Sequence, residues 1–327
     1  MPRAFVTGVT GQDGGYLVER LLGEGVEVHG MVRPGDDDAV RRLQLQAPGV
    51  VFHLGDLSDA ARVAGLIAEI APDEIYNLGG ISSVAQSWRE PVLTAQLSGV
   101  AAAVILDAAW TLQESTGRPV ACLQPSSAEM FGHAVDSPQD ESTAVRPVSP
   151  YGAAKAYAHH MSGIYRVRGL HVATCILFNH ESPSRPPTFV TRKISAAAAR
   201  IGLDGSGVIR LGNLEARRDW GWAPDYVDAM VRALRHDTPD DYVVATGQTR
   251  SVADFAEAAL RRVGVGDRWR EHIAVDVDLL RPVEAPDLVG DASRARRELG
   301  WRPTVGFEEI VGRMVDHDLE LLRAGRS

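Results

Sequence analysis

Tyr151-Gly152-Ala153-Ala154-Lys155 sets a phenol and an ammonium four residues apart. On a helix that spacing puts both side chains on one face. A lysine charge beside a phenol lowers its pKa, and the phenolate can take a proton from a substrate hydroxyl as hydride leaves the same carbon. Upstream, the apolar run Val120–Gln124 ends in Pro125-Ser126-Ser127-Ala128-Glu129-Met130-Phe131-Gly132. Ser127 is expected to hydrogen-bond the reacting hydroxyl and complete a Ser–Tyr–Lys set. Glu129 is a carboxylate that simple alcohol oxidation does not require. It reads either as a solvated side chain or as a base for the neighbouring carbon.

Hydride needs an acceptor. The first strand candidate runs into Thr7-Gly8-Val9-Thr10-Gly11-Gln12-Asp13-Gly14-Gly15-Tyr16-Leu17. Glycines at 8, 11 and 14 between a strand and a helix have the context of a dinucleotide fingerprint, with Gln12 and Asp13 in the same loop. Missing side chains let the backbone turn tightly and approach a diphosphate at the helix N-terminus. An NAD site usually carries an acid about 20 residues further on. Here that stretch reads His29-Gly30-Met31-Val32-Arg33, and Arg33 suits a 2′-phosphate, so NADP is the expected cofactor. The neighbouring Asp36–Asp38 run reads as a solvated loop. Asp56 and Leu57, after the third strand candidate, are expected at the adenine, although Asp56 also fits a cap for the next helix.

The elements that must hold these groups alternate. Strand candidates are Ala4–Val6, Val26–Met31, Val51–His53, Glu74–Asn77, Val120–Gln124 and Val172–Phe178, and helix candidates include Gly15–Leu22, Ala60–Ile70, Gly99–Glu114 and Tyr151–Arg168. That rhythm predicts βαβ units and a Rossmann-type, doubly wound parallel sheet covered on both faces. After Phe178 prolines cluster and helices dominate, which predicts a smaller C-terminal α/β substrate domain. Tyr242–Ala245 looks like a strand returning to the main sheet. The expected division is residues 1–178 plus about 225–248 for the cofactor, and 179–224 with 249–327 for the substrate.

Composition narrows the partners. The 327 residues carry 34 Lys plus Arg against 43 Asp plus Glu, a net charge of −9, which argues against nucleic-acid binding. Cys122 and Cys175 lie in apolar runs and read as buried thiols, with no metal site expected. With no signal-peptide layout and no uninterrupted apolar stretch near 18 residues, a cytoplasmic enzyme away from membranes is expected. His159 and His160 read as packing or interface residues.

TGVTGQDGGYL, GDLSD, EIYNLG, SPYGAAK, ILFNHESP, FVTRKIS, GNLEARRDWG and LRPVEAPDLVGD together resemble the GDP-mannose 4,6-dehydratases, from about residue 3 to about residue 323. FNHESP, FVTRKI and RDWG are the more specific of these. The resemblance implies GDP-mannose or a related GDP-sugar as substrate, tightly held NADP, and a homodimer or homotetramer. It assigns catalysis to Ser127, where the family usually has threonine, with Glu129, Tyr151 and Lys155. It assigns the nucleotide sugar to Asn179, Lys193, Arg218, Arg281 and Glu284, with Ser83 on the sugar-facing wall. Arginine forks at 218 and 281 suit a diphosphate. The implied reaction oxidises C4, removes the C5 proton through Glu129, expels water from C6 and returns hydride there, with no net redox change.

Three departures stand out. Ala128 replaces a serine or aspartate able to assist loss of the C6 hydroxyl; Ile81-Ser82-Ser83-Val84 replaces Gln-Ser-His-Val; and Ser184-Arg185-Pro186-Pro187 replaces an Arg-Arg-Gly-type loop. They lean towards an NADPH-dependent GDP-4-keto-6-deoxy-sugar reductase or an epimerase. A non-catalytic NADP-binding protein on the same fold is the reading from another class. Arg185 and Arg192 read as substrate contacts, surface charges or subunit contacts.

Overall fold

The structure is a computed structural model and describes residues 1–280 and 287–325. Its first part alternates β1 (Arg3–Thr7), α1 (Gln12–Gly23), β2 (Glu27–Val32), α2 (Asp37–Gln46), β3 (Val51–Leu54), α3 (Ala60–Ile70) and β4 (Glu74–Asn77). Next come α4 (Val84–Arg89), α5 (Pro91–Ala95), α6 (Ala101–Thr116), β5 (Ala121–Ser127), α7 (Pro150–Val167) and β6 (His171–Leu177). Beyond it follow β7 (Asn179–Glu181), α8 (Val190–Asp204), β8 (Ile209–Leu211), β9 (Arg217–Trp222), α9 (Ala223–Leu234) and β10 (Asp241–Val244). The chain closes with β11 (Thr249–Ser251), α10 (Val252–Arg262), β12 (Ile273–Val275), α11 (Ser293–Glu298) and α12 (Phe307–Arg323).

Seven strands form one sheet in the order β10-β6-β5-β4-β1-β2-β3, every pair parallel. Alternation sends successive residues to opposite faces. Ala4 and Val6 pack with Leu17, Leu21, Val227 and Met230 of α1 and α9. Phe5 faces Leu66 and Ile67 of α3 and Ile105 and Leu106 of α6. Both faces are therefore apolar, as helical crossovers demand. This is the expected Rossmann-type sheet, and β10 pairs with β6 through Tyr242↔Cys175. A second core joins α8, α10 and α12 to β9 through Ile194, Phe255, Met314 and Trp220.

Two local expectations change. Asp37 and Asp38 are not loop residues; they form the first turn of α2, where negative charge complements the helix dipole. The helix expected from Gly99 begins earlier: α5 runs through a π turn at Gln96–Val100 into α6. This 26-residue helical run, Pro91–Thr116, is long and apolar enough by composition to cross a bilayer. Its inner face, Ala102, Ile105, Leu106 and Ala109, packs into the core.

Candidate active site

The carboxyl ends of β1, β4 and β5 are tied by a buried polar chain. Thr7 Oγ1 donates to Asn77 Oδ1 at 2.7 Å, and Asn77 Nδ2 donates to Gln124 Oε1 at 2.7 Å. The Gly79 N–H donates to the same threonine oxygen at 3.0 Å, fixing the β4 loop against the glycine turn. Sequence reasoning missed this chain, since its three residues only meet through strand order.

The glycine turn is tight. Gly8 has φ +66°, and a Cβ there would lie 2.7 Å from Gly79 N; one at Gly14 would lie 2.3 Å from Gly8 O. The N-cap residue, Gly11, offers no side-chain acceptor, so the first-turn N–H groups of α1 remain available to an anion. Asp13 in that turn is neutralised: His180 Nε2 lies 3.0 and 3.1 Å from its two oxygens. Burial opposes ionisation of Asp13, but the His180 charge and hydrogen bond hold its pKa below the usual value. Gln12 donates to His180 O at 3.1 Å and accepts from Ser182 Oγ at 2.8 Å, so the loop is pinned to β7. A dinucleotide diphosphate fits this turn: bare backbone donors, close approach, and no uncompensated carboxylate. Gly8, Gly11, Gln12, Asp13 and Gly14 all lie in it.

Arg33 follows β2, largely exposed, with Nε and Nη2 each 3.3 Å from Asp36. Asp56 accepts from Ser58 N at 2.8 Å and Ser58 Oγ at 2.6 Å, and these bonds lower its pKa. It does not cap α3; Asp59 does, accepting from Arg62 N. Leu57 packs over Gly79, where a Cβ would lie 2.7 Å from Leu57 Cδ1.

Strand β5 and the start of α7 bring the reactive set together. Ser127 ends β5 and accepts from the Glu129 N–H at 3.3 Å, turning the chain so that Glu129 follows directly. Ser149 caps α7, accepting from Gly152 N at 3.0 Å. Gly152 lets α7 approach closely, because a Cβ there would lie 2.5 Å from Glu129 O. Tyr151 is buried, and burial pushes its phenol up to about 12; the nearby Ser127 hydroxyl pulls down and Glu129 pushes up. Burial also lowers Lys155 to about 8, partly opposed by Asp13. Lys155 Nζ donates to Pro125 O at 3.0 Å and lies 5.9 Å from the Tyr151 ring centroid. The expected lowering of the phenol by Lys155 is therefore not found: burial dominates, and the ammonium is turned to a carbonyl.

The nucleotide-sugar candidates lie on the smaller sheet and around it. Asn179 on β7 pairs with Trp220 on β9, and Arg218 on β9 is buried, donating to Arg217 O at 2.7 Å. Lys193 stands in the first turn of α8, partly exposed. Ser83 caps α4, its oxygen accepting from Gln86 N at 3.2 Å. Arg281 and Glu284 lie outside the described residues. Arg185 stacks over Phe189 at 3.8 Å, with Nε 3.3 Å from buried Glu181. Arg192 is not a free surface charge; it is ion-paired with Asp318 in the α8–α12 seam. His159 packs 3.8 Å from Asp241.

Fold, glycine turn and the Ser–Tyr–Lys set define an extended short-chain dehydrogenase/reductase. Solved structures agree in fold: UDP-glucose 4-epimerase from Thermotoga maritima with UDP-glucose superposes with TM-score 0.85 at 22% identity, covering 98% of this chain and 99% of that one. RMD from Pseudomonas aeruginosa complexed with NADPH gives TM-score 0.79 at 22% identity, over 98% and 99%. The family model for GDP-mannose 4,6 dehydratase matches residues 5–314. GDP-mannose 4,6 dehydratase 1 of Arabidopsis thaliana is 44% identical over 98% of this chain and 90% of its own length. The Homo sapiens GDP-mannose 4,6 dehydratase is 41% identical over 98% and 92%. The chain belongs to the GDP-mannose 4,6-dehydratase family. It is a hydro-lyase that dehydrates GDP-mannose to GDP-4-keto-6-deoxy-mannose with the aid of a nicotinamide dinucleotide.

Proposed function

We propose that Ser127, Glu129, Tyr151 and Lys155 carry out this dehydration, with NADP as the cofactor. Ser127 orients the C4 hydroxyl and Tyr151 removes its proton. Lys155, whose ammonium donates to Pro125 O, anchors the cofactor ribose next to Tyr151. Glu129 takes the C5 proton, which a C4 ketone has made acidic. It then protonates the departing C6 hydroxyl, since Ala128 next to it carries no proton to give. Bound NADP would supply the hydride acceptor for C4 and the donor for C6, and the proton that Tyr151 took from the C4 hydroxyl then returns to C5. Support comes above all from the meeting of two chain segments: Glu129 and Ser127 both act on the buried Tyr151 phenol, across the contact that Gly152 permits. A reductase has no proton for Glu129 to remove, and a non-catalytic protein has no use for the set.

Gly8, Gly11, Gln12, Asp13 and Gly14 hold the diphosphate of the cofactor in this reading. Arg33 exchanges Asp36 for the 2′-phosphate, and Asp56 and Leu57 border the adenine. Asn179, Lys193 and Arg218 hold the GDP-sugar together with Arg281 and Glu284, and Ser83 borders the hexose. Residues 1–178 with about 225–248 form the cofactor unit; 179–224 and 249–327 form the substrate unit. The protein works in the cytoplasm as a homo-oligomer, away from membranes and nucleic acid.

Incubation with GDP-mannose and catalytic NADP, followed by mass spectrometry, tests this. The expected product has lost one water while NADPH does not build up. NADPH oxidation on a GDP-4-keto-6-deoxy sugar without water loss would establish a reductase, and equal turnover with NAD would contradict the role of Arg33.

A further inference from the structure

Asp219 is fully buried on β9, next to Arg218, yet it lies outside the catalytic set. Its Oδ1 accepts from Thr246 N at 2.9 Å and Thr246 Oγ1 at 2.6 Å. Its Oδ2 accepts from Gly247 N at 2.8 Å and Gly290 N at 3.4 Å. One carboxylate thus joins three places: β9, the turn after β10, and the segment that follows Glu284. Leu288 in that segment bridges to Arg218, and Gln139 holds its other side, donating from its N–H to Val289 O at 2.8 Å and accepting from Val289 N at 3.0 Å. Packing leaves no slack, since a Cβ at Gly290 would lie 2.4 Å from Ala245 Cβ and 2.7 Å from the Phe178 ring.

A buried carboxylate is costly unless its lone pairs are filled, and here four donors fill them. Burial pushes its pKa up, and the bonds from Thr246, Gly247 and Gly290 pull the other way. Alternation along β9 directs Asp219 and Arg218 to opposite faces. One face therefore clamps the chain while the other carries the Arg218 side chain.

We infer that Asp219 is a positioning residue for the nucleotide end of the substrate, fixing β9 and residues 287–290 at the spacing at which Arg218 meets the diphosphate. This rests on the proposed role of Arg218. Asp219→Asn keeps the shape and the Thr246 bonds but turns an amide donor towards Gly247 N and Gly290 N. GDP affinity by calorimetry should fall roughly ten-fold or more. KM for GDP-mannose should rise with it, while kcat and NADP affinity stay within about two-fold. Thr246→Val, which removes one Oδ1 bond and leaves the Gly290 contact, should lower thermal stability but not GDP affinity. Gln139→Leu removes the side-chain bond to Val289 N on the other side of the same segment, leaving the two backbone bonds of residue 139 in place, and should also weaken GDP; it decides the matter if Asp219→Asn does not fold. Wild-type GDP affinity in folded Asp219→Asn, or in Gln139→Leu when it stands in, overturns the inference. Wild-type affinity in Arg218→Ala would instead overturn the reading on which it rests.

Discussion

His180 has an acceptor at each ring nitrogen: Phe178 O lies 2.8 Å from Nδ1, and Asp13 lies 3.0 Å from Nε2. A neutral imidazole donates only once, so this geometry calls for the imidazolium. Burial works against the charge, but Asp13 raises the pKa above its usual 6.5. A raised histidine gives stability that is complete below pH 6.5 and is lost as pH climbs through the higher folded value. The lowered Asp13 contributes fully above 3.8 and loses its share as pH falls through its lower folded value. Thermal unfolding of His180→Gln should therefore differ most from wild type between about pH 4 and 6.5, and less by pH 9. A pH-independent difference would mean a neutral ring. At Glu129 the amide isostere separates binding from chemistry. Glu129→Gln should cut dehydration by about 10²–10⁴-fold, with GDP and NADP affinity unchanged. Undiminished water loss by mass spectrometry would remove Glu129 from the mechanism.

Helices α8 and α12 are joined by charge inside their shared core. Arg192 pairs with Asp318, whose second oxygen accepts from Ser195 Oγ at 2.7 Å; Asp318 is buried and Arg192 is largely so. Removing one partner strands a buried charge, which costs about 3–5 kcal/mol. The Arg262–Asp316 pair at 2.6 Å joins α10 to α12 in solvent, where such a pair contributes at most about 1 kcal/mol. Urea denaturation should therefore show a large loss in Asp318→Ala and a small one in Asp316→Ala. Equal losses would show that burial does not set the value. The seam bears on the proposed function because α8 carries Lys193.

On the molecular scale, one surface stands out beside the α7 helix that carries Tyr151 and Lys155. Val92 and Val100 on the α5–α6 run, and Tyr157, Ile164 and Val167 on α7, are all exposed. Apolar patches of this kind mark contact sites. If a second copy covers this face, wild-type protein elutes as a dimer or larger in light-scattering chromatography, and Ile164→Asp shifts it towards monomer. A wild-type monomer at micromolar concentration would end the homo-oligomer proposal.

Period and punctuation alone determined the parallel sheet, the glycine turn and the i, i+4 pairing of Tyr151 with Lys155, because these depend on neighbours in sequence. Glu74–Asn77 and Ala60–Ile70 fall at their expected bounds for the same reason. The α2 acids were misread because isolated charge looks the same in a helix turn as in a loop. Tertiary structure decided the rest: Asn77 against Thr7 and Gln124, His180 against Asp13, Asp219 against Gly290, and Arg192 against buried Asp318. Each joins residues far apart in the chain, where strand order and burial, rather than local pattern, choose partner and charge state.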